Sequence, residues 1–189
     1  MLLAAQKPVQ APTPRGLRRA EYDVLVEQGI LEGQRVELFG GELIEMAPQK
    51  HAHASAVRFL SNLLSKGLGD RAHVLVQCPL ALSDDSEPEP DIALVDPQTP
   101  HRHPTTAWLV VEVAESSLYY DRGQKLRGYA RAGIAEYWVV STDRRCIYCY
   151  RDPLGEDYLD QTTIKEGEGA SPLAFADVSI PVSALFEPR

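Results

Sequence analysis

Pro90-Asp91-Ile92-Ala93-Leu94-Val95, then Leu109-Val110-Val111-Glu112-Val113-Ala114, then Asp121-Arg122-Gly123-Gln124-Lys125-Leu126 decide the reading of this chain. The first is a short apolar strand broken by Asp96-Pro97. The second is part of an almost continuous apolar run from Trp108, as expected of a central strand buried on both faces. The third opens a helix predicted over 121–132, with Leu126, Tyr129 and Ala130 apolar and Gly133 at its carboxyl stop. Ala135 to Ser141 then reads as another strand. Glu112 is the anomaly, because an acid inside such a strand is costly to bury without a partner.

Working outward, Leu17 to Gly29 has helical spacing, with Tyr22, Leu25 and Val26 on one side. Val36 to Phe39, Gly40-Gly41 and Glu42 to Met46 form a hairpin signal, since paired glycines permit the positive φ of a tight turn. An amphipathic helix follows from His53 to Leu68, with Val57, Leu60, Leu63 and Leu64 at three- and four-residue spacing. His73 to Leu82 is a strand candidate interrupted by Pro79. Arg145 to Tyr150 and Tyr158 to Ile164 read as late antiparallel strands, and Pro172 to Phe186 as extended chain. Residues 1–16, with Pro8, Pro12 and Pro14 and few large apolar side chains, read as a flexible arm. Residues 17–189 read as a single domain. The order predicts an α/β (α+β) protein, a mixed sheet with helices packed on it.

The chain has 189 residues, 44% of them hydrophobic and 24% charged, ordinary for a globular protein. No apolar run approaches the roughly 20 residues of a membrane helix. The expected location is the cytoplasm, away from any membrane. Cys146-Ile147-Tyr148-Cys149 has CxxC spacing, but it lies in a predicted strand, where residues three apart face opposite ways. Structural cysteines are the reading there. The net charge of −8 argues against a generic nucleic-acid coat. Placement qualifies that total. Asp84, Asp85, Glu87, Glu89, Asp91 and Asp96 form an acidic stretch. From Arg122 to Arg145 arginine and lysine outnumber acids. An acidic pocket beside a basic rim is one reading of this contrast, and two solvated surfaces are the other.

One acid in each of two strands with a lysine close by is a way to hold a divalent metal against a phosphodiester. The ion polarises phosphate and lowers the pKa of bound water, and magnesium takes only one or two protein carboxylates. Asp91 and Glu112 fit that demand. Two carboxylates about 4 Å apart repel by roughly 4 kcal/mol at an effective dielectric of 20, so they call for a cation. Lys125, about one turn into its helix, is placed to contact the phosphate or orient the attacking water. Each has a plainer reading: Asp91 as a strand start, Glu112 paired to an arginine, Lys125 on a helix surface.

Glu37-Leu38, Gly41-Glu42, His53, Pro90 to Val95, Val111-Glu112-Val113 and above all the stretch from Tyr120 to Trp138 resemble the Uma-type endonuclease family, within the PD-(D/E)XK restriction-endonuclease-like superfamily. The resemblance spans about residues 17–186. It implies a restriction-endonuclease-like core: a central four-stranded mixed sheet flanked by helices, with the site at one sheet edge. The N-terminal helix and hairpin and the extra C-terminal strands are additions to that core. It implies Asp91 and Glu112 as metal-binding motif acids with Mg2+ or Mn2+. The family's usual lysine position, two residues after the acid, is Ala114 here, and Lys125 stands as its substitute. His53 and Glu37 are possible accessory residues, while His51 and His103 read as loop residues.

The function expected is a divalent-metal-dependent DNA endonuclease, hydrolysing phosphodiester bonds through metal-activated water. The alternative is a weak or inactive nuclease-fold module that binds nucleic acid or self-assembles. A third is a hydrolase of small phosphoesters. A homodimer is expected, since cutting two strands needs two sites, and the apolar late strands and Tyr119-Tyr120 are candidate contacts.

Overall fold

The computed structural model describes residues 14–98 and 102–186. The predicted arm therefore lies almost wholly outside the described residues. Of it, Arg15 forms an ion pair with Glu21 at 2.7 Å.

A six-stranded mixed sheet forms the centre, in the order β3 (His73–Val76), β4 (Ile92–Val95), β5 (Leu109–Ala114), β6 (Glu136–Ser141), β7 (Cys146–Leu154), β8 (Asp157–Lys165). Only β5 and β6 run parallel. A parallel pair needs a long crossover. It is supplied by α3 (Leu118–Tyr120), a π-helical turn (Asp121–Lys125) and α4 (Leu126–Arg131), which follow one another without a gap. The sheet has six strands rather than four because the β7–β8 hairpin continues it, pairing Trp138 of β6 with Cys149 of β7.

Alternation along the strands makes two cores. Helix α2 (His51–Leu68) buries Val57, Leu60, Leu64 and Leu68 against Ile92, Leu94, Val111, Val113 and Trp138. Helix α4 covers the other face, where Leu126, Tyr129 and Ala130 meet Ala93, Val110, Tyr137 and Val139. Cys146 and Cys149 fall in different cores, as the strand reading requires, and both are free. Three expectations need correction. The strand from His73 stops at Val76, because Gln77 takes a positive φ of 50° and Pro79 follows. The segment after Pro172 is not simply extended. It forms 3-10 turns at Leu173–Phe175 and Val182–Leu185, whose Val182 and Leu185 close the α2 core. His51 opens α2 rather than lying in a loop.

Helix α1 (Arg19–Glu27) and the hairpin β1 (Val36–Phe39)–β2 (Glu42–Glu45) form a separate layer. Gly40 and Gly41 turn at φ 62° and 80°, and Gly41 N–H donates to Asp85 O at 2.7 Å. The hairpin is thereby fixed against the approach to β4. It also touches α4: a Cβ on Gly128 would lie 2.2 Å from the Phe39 ring. Only glycine lets the helix come this close.

We expect Gly128→Ala to cost about 1–3 kcal/mol, the usual range for overpacking. Urea unfolding measures it, and Phe39→Leu in the same chain should recover part of the loss.

Candidate active site

The site lies where the chain entering β4 meets the carboxyl half of β5, over interior strands rather than an outer edge strand of the sheet. Asp91 immediately precedes β4. Its Oδ2 accepts the Val113 N–H at 2.8 Å, so β5 itself holds the carboxylate. His53 Nε2, from the first turns of α2, stands 3.0 Å from the same oxygen, and Gln77 Nε2 donates to Oδ1 at 3.2 Å. Burial alone would raise this pKa. The bonds and charge from His53, with Val113 and Gln77, outweigh burial and hold it below the ordinary aspartate value.

Glu112 sits in β5 on the α4 side. Lys125 Nζ donates to its Oε1 at 2.8 Å, and Tyr129 OH donates to the same atom at 2.8 Å. Lys125 Nζ is also 3.0 Å from Glu37 Oε1, contributed by β1. Glu37 is fixed in turn by the Glu89 N–H, 3.0 Å from Oε2. Lys125 is thus buried between acids, not on a helix surface, and Glu112 pairs with this lysine rather than with an arginine.

These five residues, singled out from the sequence, share one cavity of about 360 Å³: Glu37, His53, Asp91, Glu112 and Lys125 all line it. Sequence reasoning missed three more. Asp121 is buried, accepts from Ser117 Oγ at 2.5 Å and lines the same cavity. Tyr120 lines it too, and its hydroxyl is buried with no hydrogen-bond partner among the described residues. Tyr129 orients Glu112 from below. The four-residue interval from Asp121 to Lys125 was the available signal, since it spaces two charged groups about one helical turn apart. The acidic stretch from Asp84 to Asp96 does not act as a unit. Only Asp91 of it lines the cavity, while Asp84 and Glu87 approach Arg18 and Arg19.

The charged side chains lining the cavity are six carboxylates, Glu37, Glu45, Asp91, Glu112, Glu115 and Asp121, and three cations, Arg35, Lys50 and Lys125, a formal excess of three negative charges if His53 is neutral; Glu37, Asp91, Glu112, Asp121 and Lys125 are the buried ones. Burial lifts the Glu112 carboxyl to about 8; Lys125 offsets part of that, and Asp91, Asp121 and Glu37 add to it. Burial likewise lifts Asp121 to about 6. Burial works against a charged Lys125, but Glu112, Glu37 and Asp121 prevail and keep it protonated, well above the ordinary lysine range. Burial and the neighbouring carboxylates thus disfavour full ionisation of Glu112 and Asp121, a penalty that a bound cation would relieve.

The donor set fits a hard divalent ion. It offers buried carboxylate oxygens, excess negative charge and, at the Tyr120 hydroxyl and His53 Nδ1, buried polar atoms without partners among the described residues. Among the described residues no group of three or more His, Cys, Asp or Glu side chains is arranged to hold a metal unaided. Two carboxylates, with water and substrate completing the shell, match the habit of magnesium.

The chain is a mixed α/β protein of the restriction-endonuclease-like class. Residues 20–183 match the Uma2 family, described as "Putative restriction endonuclease", and the chain belongs to that family. Among solved structures it is similar to a putative nuclease belonging to DUF820 from Anabaena variabilis, with 14% identity and a TM-score of 0.65. The match covers 80% of this chain and 89% of the other, and it is a likeness of fold. No curated protein matches the sequence.

A carboxyl held above its unfolded pKa stabilises the fold at low pH, and that contribution is lost as pH rises through the folded value. Without divalent metal, stability should fall between about pH 5 and 8, by up to about 1.4 kcal/mol per pH unit for one proton. Chemical denaturation of wild type and Glu112→Gln at several pH values measures this. The variant should show a shallower slope.

Proposed function

We propose that this chain is a divalent-metal-dependent DNA endonuclease acting in the cytoplasm, with residues 17–189 as one restriction-endonuclease-like domain. The observation that carries the reading is the pair of buried acids on adjoining strands, Asp91 and Glu112, facing a buried lysine in a cavity with excess negative charge. Membership of a family described as restriction endonucleases supports DNA as the substrate. No helix among the described residues is long and apolar enough to cross a membrane.

Asp91 and Glu112 would hold Mg2+ or Mn2+. When bound, the ion supplies Lewis acidity toward the phosphate and acidifies a water molecule. The protein's own groups do the rest. Glu37 keeps Lys125 charged and aimed into the cavity, where its ammonium meets the charge that develops on phosphate oxygens. Tyr129 fixes the rotamer of Glu112. His53 and the Val113 N–H fix Asp91. Lys125 takes the role usual for a lysine two residues after the acid, a position filled here by buried Ala114. Cutting a duplex calls for two such sites, which a homodimer provides.

A second reading has an observation of its own. Lys125 is engaged by both Glu37 and Glu112, so a nuclease fold that binds nucleic acid without turnover also fits.

Cleavage of plasmid DNA with Mg2+ or Mn2+ separates the two. Asp91→Asn, Glu112→Gln and Lys125→Ala should each lower the rate by about a hundredfold or more, the usual loss of an electrostatic stabiliser. Circular dichroism should stay unchanged in Asp91→Asn, the variant that leaves the Lys125 ion pairs with Glu37 and Glu112 in place. Full activity in Asp91→Asn overturns the nuclease reading. Wild-type DNA binding without cleavage under any divalent ion favours the binding module, and cleavage of a small phosphodiester alone would identify a different hydrolase.

A further inference from the structure

Beside the acidic cavity lies a second recess of about 620 Å³, lined by Tyr119, Tyr120, Arg122, Gln124, Arg127 and Arg144 among others and by no acid. This is unusual in a chain of net charge −8. Several exposed arginines elsewhere are matched to acids, Arg15 to Glu21, Arg71 to Asp177, Arg131 to Glu156 and Arg145 to Glu166, while Arg35, Arg58 and Arg102 stand singly at separate places without an ion pair among the described residues. Arg122, Arg127 and Arg144 have no ion pair among the described residues.

Two of the three are nevertheless held in place, by tyrosines of β7. The Arg122 guanidinium stacks 3.8 Å over the Tyr148 ring, and its Nε donates to Tyr150 OH at 2.6 Å. Arg144 Nη1 donates to Tyr148 OH at 3.1 Å. Phenol partners orient a guanidinium without cancelling its charge, which suits a site for phosphate. Next to them Tyr119 stands 94% exposed, while Tyr120 turns inward and lines both recesses. The Tyr119-Tyr120 pair is therefore not one apolar contact patch.

A cationic groove with an exposed aromatic ring is the arrangement that takes single-stranded nucleic acid, phosphates on the cations and a base on the ring. The depth of the neighbouring site agrees. Asp91 and Glu112 are 6% and 5% exposed. A stiff duplex presents its phosphates on a rigid surface, whereas an unpaired strand can bend into a recess.

We propose that this recess binds an unpaired stretch of DNA strand leading to the acidic cavity, with Arg122, Arg127 and Arg144 on successive phosphates and Tyr119 stacked on a base. The proposal rests on the nuclease-fold reading and adds the form of its substrate. Each site takes one strand, whether the protein acts alone or as a homodimer.

The test is fluorescence anisotropy of a labelled single-stranded oligonucleotide, and of the same sequence as duplex, titrated with full-length protein in EDTA across a salt series. No turnover occurs, so the result stands apart from the cleavage assay. Wild type should bind the single strand more tightly than the duplex. Tyr119→Ala should weaken single-strand binding about five- to a hundredfold. The Arg127→Ala/Arg144→Ala pair should weaken it and lower the salt slope by about 1.4, at about 0.7 per phosphate. Unaltered single-strand affinity in both variants overturns the proposal, as does no binding by wild type, or tighter binding of the duplex. A change of sedimentation coefficient in Tyr119→Ala would assign the ring to contact between copies instead, and also overturns it. Binding as expected without cleavage would leave the groove standing and remove the nuclease activity.

Discussion

The Lys125 ammonium, buried between Glu37 and Glu112, is the constraint on which the rest of the structure depends. A buried charge is tolerated only with close partners and satisfied hydrogen bonds, and removing one partner of such a group is strongly destabilising. Here the partners come from three layers: the N-terminal hairpin, the central sheet and the crossover helix. The lysine therefore ties these layers to one another. It does not, however, balance the acids around it. The remaining excess of carboxylate is the electrostatic signature of the cavity, and it adds to the burial that raises the Glu112 and Asp121 carboxyls above their ordinary values.

Bringing the three layers within hydrogen-bond reach is a matter of backbone shape. The Gly40-Gly41 turn fixes the hairpin against the segment before β4, and Glu37 points inward from it. Gly128 lets α4 nest on Phe39, while Phe39 and Tyr129 meet edge to face at 6.0 Å. The π-helical turn from Asp121 to Lys125 lies between the mouth of the cavity and this packed helix. Wide turns of this kind often occur at functional sites, where they adjust the phase of a helix that must also stay packed. Asp121 and Lys125, the first and last residues of this one, both face the cavity.

Charge is separated over a short distance. Buried acids from four different segments converge in the cavity, while Arg122 and Arg127 of the same crossover and Arg144 of the β6–β7 turn, without an ion pair among the described residues, line the neighbouring recess. In the function proposed here, attraction of a phosphate strand by a chain of net charge −8 would come from this local arrangement, since the total would repel it. The likeness in fold to the Anabaena variabilis protein at 14% identity shows that the layer arrangement tolerates wide change in sequence. Stacking apolar layers demands patterning more than particular residues. The cavity is more demanding, because each carboxylate there has a specific donor.

The sequence by itself determined the sheet and its helices, because apolar periodicity is a local property: the run from Leu109 to Ala114, the α2 stripe and the Gly-Gly hairpin are each readable within one segment. It also marked Asp91, Glu112, Lys125, Glu37 and His53, through Glu112's misfit in an apolar strand and through family resemblance. What only the tertiary structure decided is who meets whom. Glu37 and Lys125 are 88 residues apart, and no local pattern states that they are 3.0 Å from each other. Tyr129 read as an apolar helix residue, yet its hydroxyl binds Glu112. Asp121 read as a helix start, yet it is buried in the cavity. The acidic stretch before β4 could be read as one pocket or as solvated surface, and the structure sends only Asp91 of it into the cavity. Pairing across elements depends on register and layer packing, which are set by the whole chain at once, and that is why the site became complete only in three dimensions.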